Sequence, residues 1–341
     1  MKVDFVKYMS ASFKNKLGID TPIIWNHKIT FRCQALCGFC PFNAKRGLWK
    51  KYGEELKTNE VIDMADQMYE LGCSVSSFEG GEPLLRVDLP EILKHCKEIG
   101  FNVHLVTNGL LLKSKAHLIG SHCDVITVSI DYPDERHSKE RGPRIFESAL
   151  EGIKEAKKYA SVTINTVITK GNVKDLKRLV ELTENLDING ISFEPVDNVN
   201  NFYGPFKHDN RQRFVDAIEE LIQLKKEGMP ILNSQKYFNV LLGDKWKCSS
   251  PKLMIHTDPY GNIILPCGNW KNKFGFKNLS TRNKRIEDVW FSEEATTTRT
   301  MAKGCTSCFM SCNVEPSLLY NNPSNVIFDN LKSYQLLGRR K

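Results

Sequence analysis

The sequence contains no apolar run long enough to span a bilayer. It also has no low-complexity tract, no internal repeat, and no N-terminal stretch with the pattern of a secretory signal peptide. These absences disfavour membrane-spanning, repeat and secreted proteins. The chain has 341 residues, of which 41% are hydrophobic, and this suffices for one large domain plus a smaller one. We therefore expect a folded, cytoplasmic protein.

The chain also lacks a recognised RNA-binding motif and any interleaving of basic with aromatic residues, so we expect no nucleic-acid partner. The formal net charge is +8, and basic residues cluster at 45–46, 50–51, 271–285 and 339–341. Such clusters are typical of solvated faces and a frayed tail. Contact with phosphate head groups, and hence a peripheral membrane contact, is the alternative.

Cysteine, in contrast, is abundant, with eleven residues. Eight of them fall in two cluster-like groups, a pattern that suits metal ligands better than disulfide pairs and favours a reducing compartment. The other three lie in apolar helix-like or strand-like contexts. We predict them to be small core residues: Cys73, Cys96 and Cys123.

The first cysteine group has the spacing CxxxCxxC and consists of Cys33, Cys37 and Cys40. Three thiolates bind three corners of a [4Fe–4S] cube, and no fourth cysteine lies near enough in sequence to bind the last iron. An iron without a protein ligand is free to bind an outside molecule, so the spacing favours a reactive cluster over an electron store. A structural zinc site is the alternative, although such sites normally pair two CxxC knuckles.

Three polar motifs follow, each at the end of a short apolar or β-branched run. They are Gly-Gly-Glu-Pro at 80–83, Thr-Asn-Gly at 107–109 and Ser-Ile-Asp at 129–131. Paired glycines permit the backbone to approach a ligand closely, whereas Asn-Gly alone also describes a tight turn. Each motif is a weak signal alone, and it indicates a function only through its order and its distance after the cysteines.

Together, the cysteine spacing and these motifs resemble the radical S-adenosylmethionine (SAM) superfamily. The resemblance implies that the three cysteines hold the catalytic cluster, that its open iron chelates SAM, and that an electron cleaves SAM to methionine and a 5′-deoxyadenosyl radical. It also implies SAM contacts by Phe39, Gly80, Gly81, Glu82, Asn108, Ser129 and Arg141. Of these, Glu82 would hold the SAM ammonium. Arg141 would reach the SAM carboxylate, with a solvated surface charge as the alternative.

Strand-like and helix-like patterns alternate over the first two hundred residues. Apolar residues recur at helical spacing, and Asn172 is predicted to cap the third such helix. Strand-like runs occur at 29–32, 74–78, 103–107, 125–130, 162–168 and 190–194. Six strands in βα alternation predict an α/β fold with a parallel sheet and outer helices. This matches the partial (β/α)6 barrel that the resemblance implies, where chemistry collects at the carboxyl ends of the strands.

The second cysteine group consists of Cys248, Cys267, Cys305, Cys308 and Cys312. A strong turn signal at 258–262 predicts a hairpin that brings Cys248 and Cys267 together. The CxxC knuckle of Cys305 and Cys308 can close a four-thiolate site with them. The arrangement resembles the small SPASM/twitch extension of radical SAM proteins, which implies one auxiliary [4Fe–4S] cluster. Cys312 could replace one of the four ligands, and zinc is the alternative metal.

The predicted domain order is an N-terminal extension (1–25), a radical SAM partial barrel (26–205), a helical linker (206–247), a twitch/SPASM-like domain (248–316) and a C-terminal tail (317–341). The predicted function is hydrogen abstraction from a substrate, with a flavodoxin- or ferredoxin-like reducing partner. The substrate is a lipid, another small molecule or a peptide side chain, and the reaction class, oxidoreductase or transferase, stays open. A non-catalytic Fe–S or zinc module is the alternative, although such a module needs no SAM-binding loops.

Overall fold

A computed structural model describes residues 5–40, 53–196, 211–268, 277–306 and 308–321. Within these ranges the strands are β1 Ile24–Thr30, β2 Val75–Gly80, β3 Asn102–Thr107, β4 Val125–Ser129, β5 Ser161–Ile168, β6 Gly190–Pro195, β7 Met254–Thr257, β8 Asn262–Leu265 and β9 Lys277–Ser280. They form one sheet in the order β6–β5–β4–β3–β2–β1–β7–β8–β9. Strands β1 to β6 are parallel throughout. The predicted α/β fold with a parallel sheet is confirmed.

Helices connect the parallel strands and continue beyond them. They are α1 Phe5–Lys16, α2 Thr58–Leu71, α3 Leu89–Glu98, α4 Leu112–Ile119, α5 Arg136–Arg141, α6 Ile145–Ala156, α7 Leu176–Asn185, α8 Arg211–Lys226, α9 Gln235–Leu242, α10 Ser250–Leu253, α11 Ile286–Trp290, α12 Glu293–Met301 and α13 Ser311–Asn321. Among the described helices, none is both long and apolar enough to cross a membrane. The basic clusters at 45–46, 50–51 and 339–341 lie outside the described residues.

The first strand differs from its prediction, because it begins at Ile24 and ends at Thr30 rather than covering 29–32. Polar residues interrupt its apolar pattern, so a search for β-branched runs detects only its end. After Thr30 the backbone leaves the sheet. The Phe31 N–H donates to the Glu55 carboxylate at 3.2 Å, and the Arg32 N–H donates to the Thr30 hydroxyl at 3.1 Å, instead of to a neighbouring strand.

The predicted cap at Asn172 is also wrong, since α7 begins at Leu176, with Asp175 before it. The Asn172 side chain is fully buried. Its amide donates to the carbonyls of Asp131 and Val167, both at 2.8 Å. It therefore ties the loop after β5 to the loop after β4 and leaves the helix uncapped by its side chain.

The two faces of the sheet differ sharply in polarity. Residues in register on neighbouring parallel strands share a face. One face is mostly apolar and belongs to the hydrophobic core that includes the helices; examples are Trp25, Phe78, Leu105, Ile126, Ile164 and Phe193. We call the other the inner face, and its polar members are Asn26, Lys28, Ser77, Glu79, His104, Thr127, Ser129, Thr163, Asn165, Ser192, Glu194 and His256. The three cysteines outside the two groups are buried in the core, as predicted: Cys73, Cys96 and Cys123.

The C-terminal strands extend this sheet. Strand β7 pairs with β1 in parallel, and β7 and β8 form the predicted hairpin, which is confirmed. A buried hydrogen-bond chain fixes the β1–β7 junction: the Trp25 indole N–H donates to the Thr257 hydroxyl at 2.8 Å, and that hydroxyl lies 2.8 Å from His27 Nδ1. Burial lowers the pKa of His27 to about 3. The ring is therefore neutral at pH 7, so its contact with the Thr257 hydroxyl joins two uncharged groups.

Replacing Thr257 with Val removes this hydroxyl at nearly constant volume and leaves the Trp25 N–H and His27 Nδ1 without their partner. We expect the free energy of unfolding, measured by urea denaturation, to fall by about 2 kcal/mol, because each buried polar group left unpaired costs roughly 1–3 kcal/mol. Thr257→Ser keeps the hydroxyl and is the matched control. Equal losses in the two variants would contradict the assigned role.

Candidate active site

A cavity of about 430 Å³ lies where the cysteine loop after β1 meets the carboxyl ends of β2, β3 and β4. The first cysteine group lines it, together with six of the seven predicted SAM contacts. These lining residues are Cys33, Cys37, Cys40, Phe39, Gly80, Gly81, Asn108, Ser129 and Arg141. Parallel topology explains their meeting, because the carboxyl ends of all these strands share one edge of the sheet. The seventh residue, Glu82, is completely buried.

The glycine pair is required by contact with the backbone of the cysteine loop. A Cβ at Gly80 would lie 2.3 Å from the Thr30 carbonyl oxygen, and one at Gly81 would lie 2.2 Å from that of Arg32. The Gly81 N–H donates to Thr30 O at 2.7 Å, and the Glu82 N–H donates to Arg32 O at 2.8 Å. Only glycine permits such an approach. The loop after β2 is therefore held against the loop that carries Cys33, Cys37 and Cys40.

The Glu82 carboxylate joins the loops that follow β2 and β3. Its Oε1 accepts hydrogen bonds from the Leu84 N–H at 3.0 Å and the Thr107 hydroxyl at 2.7 Å, and its Oε2 accepts one from the Asn108 N–H at 2.8 Å. Burial raises the pKa of Glu82, and these three donors oppose the shift. The side chain is thus held by protein donors, and the ammonium contact that the resemblance implied stays a prediction.

Arg141 is held in a buried ion pair at the cavity wall. Its Nε and Nη2 donate to the two carboxylate oxygens of Asp131 at 2.6 and 3.1 Å, and its guanidinium lies 5.3 Å from the Phe39 ring centroid. The Arg141 side chain is only 8% exposed, so the alternative of a solvated surface charge is wrong. The Asp131 carboxylate also accepts the Val167 N–H at 3.0 Å. Arg141 and Phe39 therefore form a rigid part of the wall.

The three thiols fit a cluster-binding site. Burial raises the pKa of Cys33 to about 11 and also raises that of Cys37, where the Arg141 guanidinium opposes the shift. These two thiols are consequently neutral at pH 7, and metal binding must release their protons. A cubane binds each thiolate to a different iron, so three thiols on the wall of one cavity suit three of its corners. Asn108 adds a polar neighbour, with its Nδ2 at 3.9 Å from Cys33 Sγ.

The inner face supplies polar residues that sequence reasoning missed. Lys28 Nζ lies 2.5 Å from Glu79 Oε1, and Glu79 lines the cavity. Further along the face, Glu194 accepts hydrogen bonds from Asn165 Nδ2 at 3.0 Å and from the Ser311 hydroxyl at 3.1 Å. Alternation of polar and apolar residues along β1, β2, β5 and β6 was the available signal. Because it is ordinary for a half-buried strand, it did not by itself indicate a site.

The members of the second cysteine group come from four separate segments. The Cys248 N–H donates to the Cys305 carbonyl at 3.0 Å. Burial raises the pKa of Cys248 to about 12, and the nearby thiols of Cys308 and Cys267 add to the shift. The tertiary structure therefore places Cys267, Cys305 and Cys308 near Cys248, and a four-thiolate site on these residues stays a prediction.

Cys312 occupies a different environment, at the start of α13. Burial raises the pKa of its thiol well above the ordinary value, and the neighbouring carboxylates of Glu194 and Glu79 act in the same direction. Cys308 also lies nearby. Cys312 is thus placed between the second cysteine group and the inner face.

We expect Glu82→Gln to reduce both protein stability and SAM affinity. The amide NH2 of the substituted side chain would face a donor of the protein where a carboxylate oxygen now accepts. One of the three hydrogen bonds to residue 82 is then lost, and the loop that contains Asn108 shifts. The expected loss is roughly 1–3 kcal/mol in the free energy of unfolding, with SAM binding about ten-fold weaker by isothermal titration of the reconstituted protein. A side chain in direct contact with SAM would instead lower affinity at unchanged stability, and that result would contradict the positioning role.

Comparison with known proteins places this cavity in a family. Residues 27–183 match the Radical SAM superfamily model, and this range includes every residue that lines the cavity. The probable GTP 3′,8-cyclase of Saccharolobus islandicus is 30% identical over 245 residues, which cover 70% of this chain and 75% of that protein.

Solved structures agree in fold. SuiB of Streptococcus suis, bound to its precursor peptide SuiA, superposes with a TM-score of 0.66 at 17% identity, covering 92% of this chain and 76% of that one. Native anSMEcpe with bound AdoMet gives a TM-score of 0.65 at 14% identity, covering 94% of this chain and 100% of that one. The cysteine spacing, the loops at the strand ends and these matches lead to one conclusion: the chain belongs to the radical SAM superfamily.

Proposed function

We propose that the protein is an enzyme that reductively cleaves SAM and uses the 5′-deoxyadenosyl radical to abstract a hydrogen atom from a polar substrate. The observation that carries this proposal is the single cavity that gathers three thiols with the loops after β2, β3 and β4. Family membership implies a [4Fe–4S] cluster and SAM. Cys33, Cys37 and Cys40 would bind three irons, and the cluster with SAM supplies the electron transfer and the radical.

The remaining cavity residues would orient SAM and exclude water. Gly80, Gly81, Asn108 and Ser129 offer backbone and side-chain polar groups at the wall. Arg141 cannot move toward solvent without separating from Asp131, and an uncompensated buried charge is costly. Its guanidinium would therefore present a fixed positive charge to the SAM carboxylate. Such preorganised groups need little rearrangement when the ligand binds.

The inner face would receive the substrate. His256 and Asn26 are adjacent in register on β7 and β1 and are 3% and 5% exposed. Neither ring nitrogen of His256 has a hydrogen-bond partner among the described residues, and neither does Asn26 Oδ1. Buried polar groups without partners are rare and costly, so Asn26 Oδ1 and His256 Nε2 are suited to bind a substrate group. A polar substrate fits this face better than a lipid chain does.

The charges of the inner face favour a substrate without phosphate groups. Lys28, its one lysine in the described strands, is already paired with Glu79, and Glu194 adds a second carboxylate. Neither carboxylate would tolerate a triphosphate nearby. We therefore propose a peptide side chain, the class of partner bound in the SuiB complex, or another small molecule of similar polarity, in preference to a nucleoside triphosphate.

For the second cysteine group we propose one auxiliary [4Fe–4S] cluster on Cys248, Cys267, Cys305 and Cys308, because these four lie together while Cys312 faces the inner face. The contact between Gly268 and His256 connects this group to the proposed substrate site. A Cβ at Gly268 would lie 2.8 Å from His256 Nδ1. The residue after Cys267 therefore packs on the substrate-facing histidine.

The two cysteine groups should respond differently to substitution. We expect Cys37→Ala to abolish dithionite-dependent formation of 5′-deoxyadenosine, while Cys267→Ala retains it. Anaerobically reconstituted wild-type protein should contain about eight irons per chain. Each of the two variants loses one cluster and should contain about four. Liquid chromatography of the nucleoside product and colorimetric iron determination provide the measurements.

Cys123→Ala is the control for loss of a buried thiol, because Cys123 lies in the hydrophobic core rather than in either group. Its product formation and iron content should equal those of the wild type. Saturation of the wild type at about four irons with one zinc would remove the auxiliary cluster from the proposal. Absence of 5′-deoxyadenosine from the wild type with SAM and dithionite would favour a non-catalytic module.

A second prediction concerns the substrate class. GTP should neither be consumed nor accelerate SAM cleavage by this protein, since the inner face repels a triphosphate. The assay follows GTP and 5′-deoxyadenosine by chromatography, with a GTP 3′,8-cyclase assayed in parallel as the positive control. Consumption of GTP at a rate comparable to that of the cyclase would contradict the proposed preference for a substrate without phosphate.

A further inference from the structure

A groove of about 780 Å³ lies between α9, the loop that follows it and the segment after α12. Four cationic side chains line it, and the one lining carboxylate is that of Asp244. The cations are Arg211, Lys236, Lys245 and Lys247. The Asp244 carboxylate lies 3.3 Å from Lys236 Nζ, so it neutralises only one of them. We call this feature the basic groove.

The basic groove lies directly against the second cysteine group. Lys247, Thr306 and Phe309 line it, and each is the immediate chain neighbour of a cysteine in that group. The backbone hydrogen bond from Cys248 N–H to Cys305 O holds two of these segments together. A molecule seated in the groove would consequently be separated from the cysteines by little more than one layer of backbone.

We propose that the basic groove docks a small acidic electron-carrier protein of the flavodoxin or ferredoxin type. This inference rests on the proposed function, which consumes one electron for each SAM cleaved. The carrier loses one electron, and the sulfonium of SAM gains it as the sulfur–C5′ bond breaks to give methionine and the radical. Complexes of electron carriers have small interfaces, and a cationic patch raises the rate of encounter with an acidic partner.

Two features favour a protein carrier over other anionic partners. Single-stranded nucleic acids stack their bases on exposed aromatic rings, whereas Trp246 in the groove is only 7% exposed and Phe309 is half-buried and packs against the hydrophobic core. A lipid surface would need no particular proximity to cysteines. Electron transfer explains why the cationic side chains lie next to the second cysteine group. Its rate depends on how closely the electron donor approaches the cluster that these cysteines would hold.

The test compares two reductants on the reconstituted enzyme. The variant Lys245→Glu/Lys247→Glu changes two exposed groove residues and turns the groove's net charge negative. With enzymatically reduced flavodoxin as electron donor, we expect 5′-deoxyadenosine formation to slow by about ten-fold or more, since steering is reversed. With dithionite, a small reductant that needs no docking surface, the rate should remain that of the wild type.

The matched control is Lys154→Glu/Lys174→Glu, which makes the same charge change at exposed residues on and beside the outer helices α6 and α7. This variant should keep the wild-type rate with both reductants. Binding provides a readout independent of turnover. By isothermal titration, oxidised flavodoxin should bind the wild type and the control variant with equal affinity, and this affinity should fall as the salt concentration is raised. Flavodoxin should bind the groove variant about ten-fold less tightly.

Equal flavodoxin-driven rates and affinities in the wild type and the groove variant would overturn the inference and leave the proposed function intact. Loss of dithionite-driven cleavage in the wild type would instead count against the proposed function. A short single-stranded DNA or a phosphatidylglycerol vesicle is the competitor probe. If either binds the groove more tightly than flavodoxin does, and does so only with the lysines present, the groove belongs to that partner and the inference fails.

Discussion

Buried carboxylates that connect neighbouring loops hold the cavity in shape. Asp131 receives two hydrogen bonds from Arg141 and one from the Val167 backbone, and Glu82 receives three, from the last residue of β3 and from the loops after β2 and β3. A carboxylate is costly to bury unless donors surround it. Each of these two is compensated only when several loops are in place. The wall of the cavity is therefore fixed as a unit, and this rigidity suits a site that must exclude water around a radical.

The division of the sheet into two faces gives the protein its second useful property. Apolar residues on one face pack against helices and supply most of the core, so the opposite face can remain polar without loss of the fold. The inner face carries Lys28, Glu79, Glu194 and His256, and Glu79 reaches the cavity wall. A substrate on this face would thus lie next to SAM without any element dedicated only to its recognition.

Continuity of the sheet connects the two cysteine groups. Strand β7 pairs directly with β1, and β1 leads into the first cysteine loop while β8 leads to Cys267. The hydroxyl of Thr257 fixes this junction. The first cysteine loop and the loop that carries Cys267 are therefore attached to one sheet.

The sequence by itself determined the parts of the protein that depend on local spacing. CxxxCxxC identified the thiols, alternating patterns identified six parallel strands and the hairpin, and motifs at strand ends identified the cavity residues. The sequence patterns gave wrong bounds for the first strand and a wrong role for Asn172, because buried polar side chains at both places bind partners that are distant in sequence. Only the tertiary structure decided that Glu82 faces Thr107 and Asn108, that Arg141 is paired with Asp131, and that Cys312 lies near the carboxylates of Glu194 and Glu79 as well as near Cys308. Those assignments depend on which loops meet after folding, and residue type and spacing carry no record of such long-range contacts.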